Sequence, residues 1–309
     1  MGNGVRCNTI CDTRCAIREA LNWGTEVLQK EGIDSARLDA ELLLAFNLGL
    51  SRAGLYAKLD RALSQAEWEI YSSSICRRAA GEPVAYLTGR KEFYKLDFYV
   101  DRRVLIPRPE TELLVEQALE MARRAPIEVI ADMGTGSGAV AISLAVEMEV
   151  ARIYATDISP EALAVAALNC RRHGLAGRVR LLQGDLLAPL PEPADLIVAN
   201  LPYIAREEFE ELAEDIRSYE PRLALDGGED GLALIRRLLA QAEAYLRPGG
   251  KILLEIGAWQ GGAVSALARR HFPRAQITLR KDYAGLDRLV IIETSLKESE
   301  DFAISFAGC

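Results

Sequence analysis

"DMGTGSGAVAISLA", residues 132–145, is the stretch on which the fold turns. It ends the β-rich run "IEVIADMG", so a strand empties into a turn with Gly134, Gly136 and Gly138 and then into an apolar run of helical length. Glycine accepts a left-handed backbone and lets a ligand come close, and the N–H groups that open the next helix point at the same place. Three glycines so near one another are costly to order unless something must approach them. Gly134, Gly136 and Ala139 also satisfy the loose pattern G-x-G-x-x-G/A, so the loop alone leaves the choice of nucleotide ligand open.

Working outward, the chain alternates strand and helix from Ile127 onward. "RIYATD", "RVRLLQGD", "DLIVANLP" and "KILLEIG" are short β-rich runs separated by helical stretches, the pattern of a parallel sheet covered on both faces. The closing runs "AQITLRKD" and "DRLVIIET" are joined by only "YAGL", a link that can connect antiparallel neighbours alone. The expected fold is α/β, a mostly parallel sheet with one reversed strand near its end. Asp157 ends "RIYATD" about twenty residues past the glycine loop, where a carboxylate can accept from both ribose hydroxyls. That supports an adenosine-containing cofactor without choosing among NAD, FAD and S-adenosylmethionine. Ser159 suits the cap of the following helix. Asp185 and Leu186, in "QGDLL", are expected beside the same crevice, the acid toward an adenine amino group and the leucine over the ring.

Upstream the texture differs. "AIREALNWGTEVLQKEG", "DSARLDAELLLAFNLG" and "SQAEWEIYSSSICRRAAG" carry apolar residues at threes and fours, which predicts a small helical bundle, with "SRAGLYAKLD" as a surface loop. Partner recognition and plain scaffolding are both open to this bundle. Residues 82–108 turn aromatic and alternating, as a short bridging hairpin would, and "PETELLVEQALEMARR" has the proline, acids and terminal arginines of a helix. The domains expected are therefore 1–81, helical; 82–108, hairpin linker; 109–296, the α/β unit; and 297–309, a tail.

Composition sets outer limits. Half of the 309 residues are hydrophobic, ample for a packed core. A net charge of −8 argues against a protein that coats nucleic acid. No run spans a bilayer and the N-terminus lacks a signal-peptide core, so a cytoplasmic protein is expected. "MGNGVR" fails as a myristoylation site at Arg6. Cys7, Cys11 and Cys15 share a helical spacing, but no histidine or carboxylate pattern completes a metal site; no metal is expected, and the cysteines read as free thiols. His173 and His271 have no triad around them.

"IVANLPYIA", residues 197–205, supplies the chemistry. Ligands of such sheets bind over the carboxyl ends of the strands, which puts Asn200 beside the glycine loop. An amide or adenine amino nitrogen is a poor nucleophile and has to be held. The Asn200 side-chain oxygen can accept one of its N–H groups and the Leu201 carbonyl the other, leaving the nitrogen aimed at an electrophilic methyl. Pro202 stiffens the turn, and Tyr203 can stack on a flat amide or base.

"DMGTGSG" with Asp157 resembles the cofactor loop of class I S-adenosylmethionine-dependent methyltransferases, and "NLPY" the [N/D/S]-P-P-[Y/F] signature of amino-methyltransferases. "GEPVAYLTGRKEFYKLDF", "VLIPRPETELLVE", "RPGGKILLEIG" and "YAGLDRLVI" are similar to bacterial protein-(glutamine-N5) methyltransferases specific for peptide chain release factors. The resemblance implies a small helical N-terminal domain, a Rossmann-like seven-stranded sheet, S-adenosylmethionine held by Gly134, Thr135, Gly136, Ser137, Gly138, Asp157, Asp185, Leu186 and Asn200, and catalysis at Asn200, Leu201, Pro202 and Tyr203. It implies as substrate the glutamine of the Gly-Gly-Gln loop of class 1 release factors, and the chain is expected to act as a monomer. In this setting Glu110 and Glu112 either face the methionyl amine or suit a helix dipole, and Glu255 and Asp287 read as structural. Leu201 stands where the pattern has its first proline. "NLPY" is more typical of ribosomal RNA adenine dimethylases, which makes adenine-N6 methylation of RNA or DNA the rival reading. A non-catalytic cofactor-binding adaptor is the third. A backbone carbonyl is all position 201 must offer, and Leu201 is already extended before Pro202.

Overall fold

The computed structural model describes residues 15–295. The "MGNGVR" start, Cys7, Cys11, the 297–309 tail and Cys309 lie outside the described residues. The chain forms two compact units: one holds the described residues up to Arg90 with Val100–Arg102 and Leu212–Tyr219, the other Lys91–Tyr99, Arg103–Glu211 and the remainder from Glu220.

The first unit is helical. It begins with α1 (Ile17–Lys30), α2 (Ala36–Asn47), α3 (Arg52–Tyr56), α4 (Gln65–Ala79) and α5 (Val84–Thr88). Ile17, Leu21 and Leu28 of α1 recur on one face and pack with Leu43 and Leu44 of α2 and Trp68, Tyr71 and Ile75 of α4. Trp23 lies against Trp68 with ring centroids 4.8 Å apart. The segment "SRAGLYAKLD", expected as a loop, contains α3. Ser51 caps it by accepting from the Gly54 N–H at 3.0 Å, and Arg52 reaches back 2.7 Å to Glu41. Five residues are too few to show a helical period, and the anchor for this helix lies on α2. Glu41 is buried yet ionised: burial pushes its carboxyl up, but hydrogen bonds from Tyr56, Arg52 and Arg37 outweigh that and hold it below the usual range. Cys15 is buried and outside any disulfide, as Cys170 is in the second unit, whereas Cys76 is disulfide-bonded, against the expectation of a chain without disulfides.

The second unit opens with the hairpin β1 (Lys91–Phe93) and β2 (Leu96–Phe98), then a 3-10 turn at Pro109–Thr111 and α6 (Glu112–Arg124). There follow β3 (Val129–Met133), α7 (Ala139–Glu147), β4 (Arg152–Asp157), α8 (Pro160–Arg172), β5 (Val179–Gln183) and β6 (Ala194–Ala199). After α9 (Glu214–Tyr219), which belongs to the first unit, come α10 (Ala233–Tyr245), β7 (Leu246–Glu255), α11 (Gly261–His271), β8 (Gln276–Lys281) and β9 (Asp287–Glu293). The sheet has seven strands in the order β5-β4-β3-β6-β7-β9-β8. Its neighbours from β5 to β7 are parallel, and β9 runs against both β7 and β8, the one reversal expected.

Successive residues of a strand feed opposite layers. Ile130, Leu196, Val198 and Leu253 pack in the core that holds Leu114 and Val115 of α6 and Ile142 and Leu144 of α7. Val129, Ala131, Ile197, Ile252 and Leu254 pack in the core that holds Leu238 and Leu239 of α10 and Val264 of α11. Each fully buried side chain of this size contributes about 1.5–3 kcal/mol, so slipping one strand by a residue would turn both layers inside out. The register is therefore fixed, and it aligns the carboxyl ends: Met133 pairs with Ala199, and Ala199 with Leu254. Gly134, Asn200 and Glu255 come next on three adjacent strands.

Glu41→Ala is expected to remove the shared partner of Arg37, Arg52 and Tyr56 and to destabilise the helical unit by roughly 1.5–3 kcal/mol, the loss of charged hydrogen bonds whose remaining arginines are half exposed to water. Urea unfolding followed by Trp23 and Trp68 fluorescence measures it, and an unchanged midpoint would show that the buried carboxylate contributes nothing.

Candidate active site

The glycine loop is built over a buried acid. Asp132, in β3, is 2% exposed, and its Oδ2 accepts from the Thr135 hydroxyl at 2.7 Å and from the Ala141 N–H at 3.2 Å. Burial pushes this carboxyl up to about 6, against the pull of those two hydrogen bonds. The backbone N–H groups of Gly134 and Thr135 both donate to the Thr156 carbonyl at 2.9 Å. Gly134, Gly136 and Gly138 have φ of 70°, 56° and 81°, a region side chains rarely enter. A side chain on Gly136 would meet no protein atom within 4 Å, because it would project into open space above the loop.

Asp157 closes one side. Its Oδ2 accepts from the Gly136 N–H at 2.9 Å and its Oδ1 from the Ser159 N–H at 2.9 Å, while Ser159 caps α8 through the Ala162 N–H. Burial raises the Asp157 carboxyl above its usual range, opposed by the N–H groups of Ser159 and Gly136.

A cavity of about 240 Å³ opens at this place. Of the residues expected to bind or react, Gly134, Gly136, Asp157, Asp185, Leu186, Asn200, Leu201 and Pro202 line it. Thr135, Ser137, Gly138 and Tyr203 do not. The Thr135 hydroxyl is turned down to Asp132, the Ser137 carbonyl accepts from Asn169 at 2.9 Å, and Gly138 begins α7 close against Ala166. Asp185 does more than stand at the crevice: it forms an ion pair with Arg237 of α10, which also lines the cavity. Glu110 is exposed, Glu112 accepts from the Tyr94 N–H at 3.0 Å, and neither lines the cavity.

The corner after β6 is held from three directions. Asn200 Nδ2 donates to Thr111 Oγ1 at 3.0 Å. The Leu201 side chain is buried in the sheet core and lies 3.2 Å from where a Gly134 Cβ would be, so the glycine makes room for it. Gln260 Nε2 donates to the Tyr203 carbonyl at 3.0 Å, and the "LDGGEDG" loop closes behind through Ile204 N–H to Leu225 carbonyl at 3.1 Å and Gly227 N–H to Ile204 carbonyl at 2.9 Å. At Gly231 a side-chain carbon would come within 2.3 Å of the Tyr203 carbonyl. Burial pushes the Tyr203 hydroxyl up to about 12, helped by the nearby Glu255 and Glu110, so it keeps its proton at neutral pH.

Thr111, Asp132, Ile158, Arg237 and Gln260 are the site residues that sequence reading passes over. Ile158 follows Asp157 on the cavity wall although it is more than half exposed, a hydrophobic residue left out of the core. That position beside a nucleotide-type acid is a signal the sequence does carry. Thr111 and Gln260 give none.

Two family matches bear on these units: residues 19–89 match the PrmC N-terminal domain, and residues 109–221 match ribosomal protein L11 methyltransferase (PrmA). Sheet order, glycine loop and strand-end acid together define a class I S-adenosylmethionine-dependent methyltransferase. The release factor glutamine methyltransferase of Moorella thermoacetica is 50% identical over 88% of this chain and 96% of its own length, and that of Geobacter sulfurreducens 42% identical over 89% and 95%. The chain belongs to the release factor glutamine methyltransferase family. Among solved structures, the hMettl16 catalytic domain in complex with the MAT2A 3′UTR hairpin 6 aligns with a TM-score of 0.52 at 13% identity, covering 78% of this chain and 86% of that one, a likeness of fold.

Asp157→Ala is expected to weaken S-adenosylmethionine binding by about 1–3 kcal/mol, measured by calorimetry; unchanged affinity would misplace the pocket. Asp132 gives a pH signature. Its folded-state value lies above 3.8, so its stabilising contribution is complete at low pH and is lost as pH rises through about 6. Relative to Asp132→Asn, the wild type is expected to lose on the order of 2 kcal/mol between acid and neutral pH. Urea unfolding at both ends of that range tests this, and a pH-independent difference would refute it.

Proposed function

We propose that this chain transfers a methyl group from S-adenosylmethionine to the side-chain amide nitrogen of the glutamine in the Gly-Gly-Gln loop of class 1 release factors, with Asn200 and the Leu201 carbonyl as the groups that orient the amide. The observation that carries this reading is that Asn200 and Leu201 share one cavity with Gly134, Gly136 and Asp157. Acceptors for an amide and a cradle for an adenosine thereby line the same cavity.

The cavity suits the cofactor. Gly136 leaves open space where a side chain would intrude, Asp157 presents a carboxylate with lone pairs beyond its two backbone donors, and Ile158 and Leu186 offer aliphatic cover. Bound there, S-adenosylmethionine supplies an electrophilic methyl on a sulfonium. The protein's task is to hold the nucleophile. Asn200 Oδ1 accepts one N–H of the glutamine amide and the Leu201 carbonyl the other, and both face the positive charge that grows on the nitrogen. Pro202 fixes the backbone after the acceptor carbonyl, and Gln260 and the glycine loop behind it stop the corner from sagging away from the substrate. Tyr203 lies outside the cavity lining and keeps its proton, and its part is to hold the corner through its carbonyl, which accepts from Gln260.

A protein substrate accords with the net charge of −8, which disfavours RNA, and we read the chain as a monomer acting in the cytoplasm. No helix among the described residues is long and apolar enough to cross a membrane.

Incubation with methyl-labelled S-adenosylmethionine and either a purified release factor or total RNA tests this. Label is expected on the release factor alone, absent when its acceptor glutamine is changed, and reduced about 10²-fold or more by Asn200→Ala with cofactor affinity nearly unchanged. Label confined to RNA rejects the proposal.

A further inference from the structure

Glu255, the last residue of β7, is an acid in the wrong place for a structural one. It pairs across the sheet with Leu289 of β9, and it stands beside Asn200 because Ala199 and Leu254 are in register. The residue is 3% exposed, and its Oε2 has no hydrogen-bond partner. An orphaned carboxylate oxygen in a protein interior costs more than almost any other polar group, so its persistence needs a reason.

Thr111 supplies the link. It is 5% exposed, ends the 3-10 turn before α6, and accepts the Asn200 Nδ2–H at 3.0 Å. A hydroxyl has a single proton. If its oxygen accepts from Asn200, that proton is free to be given to another acceptor, and the Glu255 carboxyl, whose Oε2 lacks a partner, stands beside Asn200 at the end of the next strand. An ionised carboxylate can only accept. Once the Thr111 hydroxyl turns its proton to that carboxylate, the chain of donors has one direction, from the Asn200 amide to Thr111 to Glu255, and the Asn200 oxygen is left for the substrate. A neutral Glu255 can donate instead. Thr111 would then donate to Asn200 Oδ1, and the acceptor that the substrate amide needs would be consumed.

We propose that Glu255, acting through Thr111, sets which way round the Asn200 carboxamide stands, and is a positioning residue for methyl transfer. The proposal rests on the glutamine-methylation reading above. It also makes the reaction pH-dependent. Burial pushes the Glu255 carboxyl up to about 7, with Thr111, Arg288 of β9 and Asn200 pulling it down and Glu110 of the 3-10 turn pushing it up; Tyr203, also facing it, stays neutral in this range. Activity should therefore rise with pH as Glu255 ionises.

The test is steady-state methylation of a purified release factor at pH 5.5 to 9, with S-adenosylmethionine affinity measured alongside. Glu255→Gln keeps the shape of the side chain but adds a donor, and Thr111→Val breaks the link. Each is expected to lower kcat about 10²-fold with cofactor affinity within about threefold. Thr111→Ser is expected to restore most of the rate. The wild-type kcat should climb on one ionisation near pH 7, a limb absent from Glu255→Gln. A Glu255→Gln enzyme with the wild-type kcat and pH profile overturns the inference while leaving the methylation reading intact, and so does a loss of rate matched by an equal loss of cofactor affinity. Wild-type protein that labels no release factor overturns both.

Discussion

The glycine loop must leave β3, pass through three left-handed residues and enter α7 without abandoning its N–H groups, and Asp132 beneath it makes that possible. One carboxylate oxygen gathers the Thr135 hydroxyl and the Ala141 N–H, while the Thr156 carbonyl collects the two amides between. The loop is thereby held from below, and its upper side is left to the cavity. Asp157 fastens the far rim through Gly136. A site built this way meets its ligand already ordered, which spares binding the entropy of arranging a glycine-rich segment.

The corner after β6 is fastened differently, by the sheet itself. Asn200 and Leu201 lie just past the end of β6, and their placement follows from a register that two hydrophobic layers enforce. The side chains then receive individual restraints: Asn200 from Thr111, the Tyr203 carbonyl from Gln260, and Leu201 from its own burial. Precision at this corner thus comes in part from Thr111 and Gln260, which do not line the cavity.

What sequence reading recovered was what is local. The glycine loop, Asp157, and the run Asn200–Pro202 that the cavity brings together each occupy a few consecutive positions visible without knowing their neighbours, whereas Tyr203, expected beside them, falls outside the cavity lining. The reversed strand was legible too, because "YAGL" is too short for a crossover. Thr111 and Asn200 are 89 positions apart, and Asp185 and Arg237 are 52 apart, so their meeting depends on strand register and helix packing that no short pattern encodes. The same holds for α3, whose anchor Glu41 sits on another helix. Glu255 was read as structural for the same reason: its neighbours on the adjacent strand and on the turn before α6 are far away in the chain.

Leu201 has a consequence of its own. A proline there would present a compact ring; the leucine reaches down until it occupies the room Gly134 vacates. Positions 134 and 201 therefore share one allotment of volume: a methyl at 134 would press on the leucine by a few tenths of an ångström on top of straining a left-handed backbone, so the glycine turn and the corner after β6 are mechanically coupled.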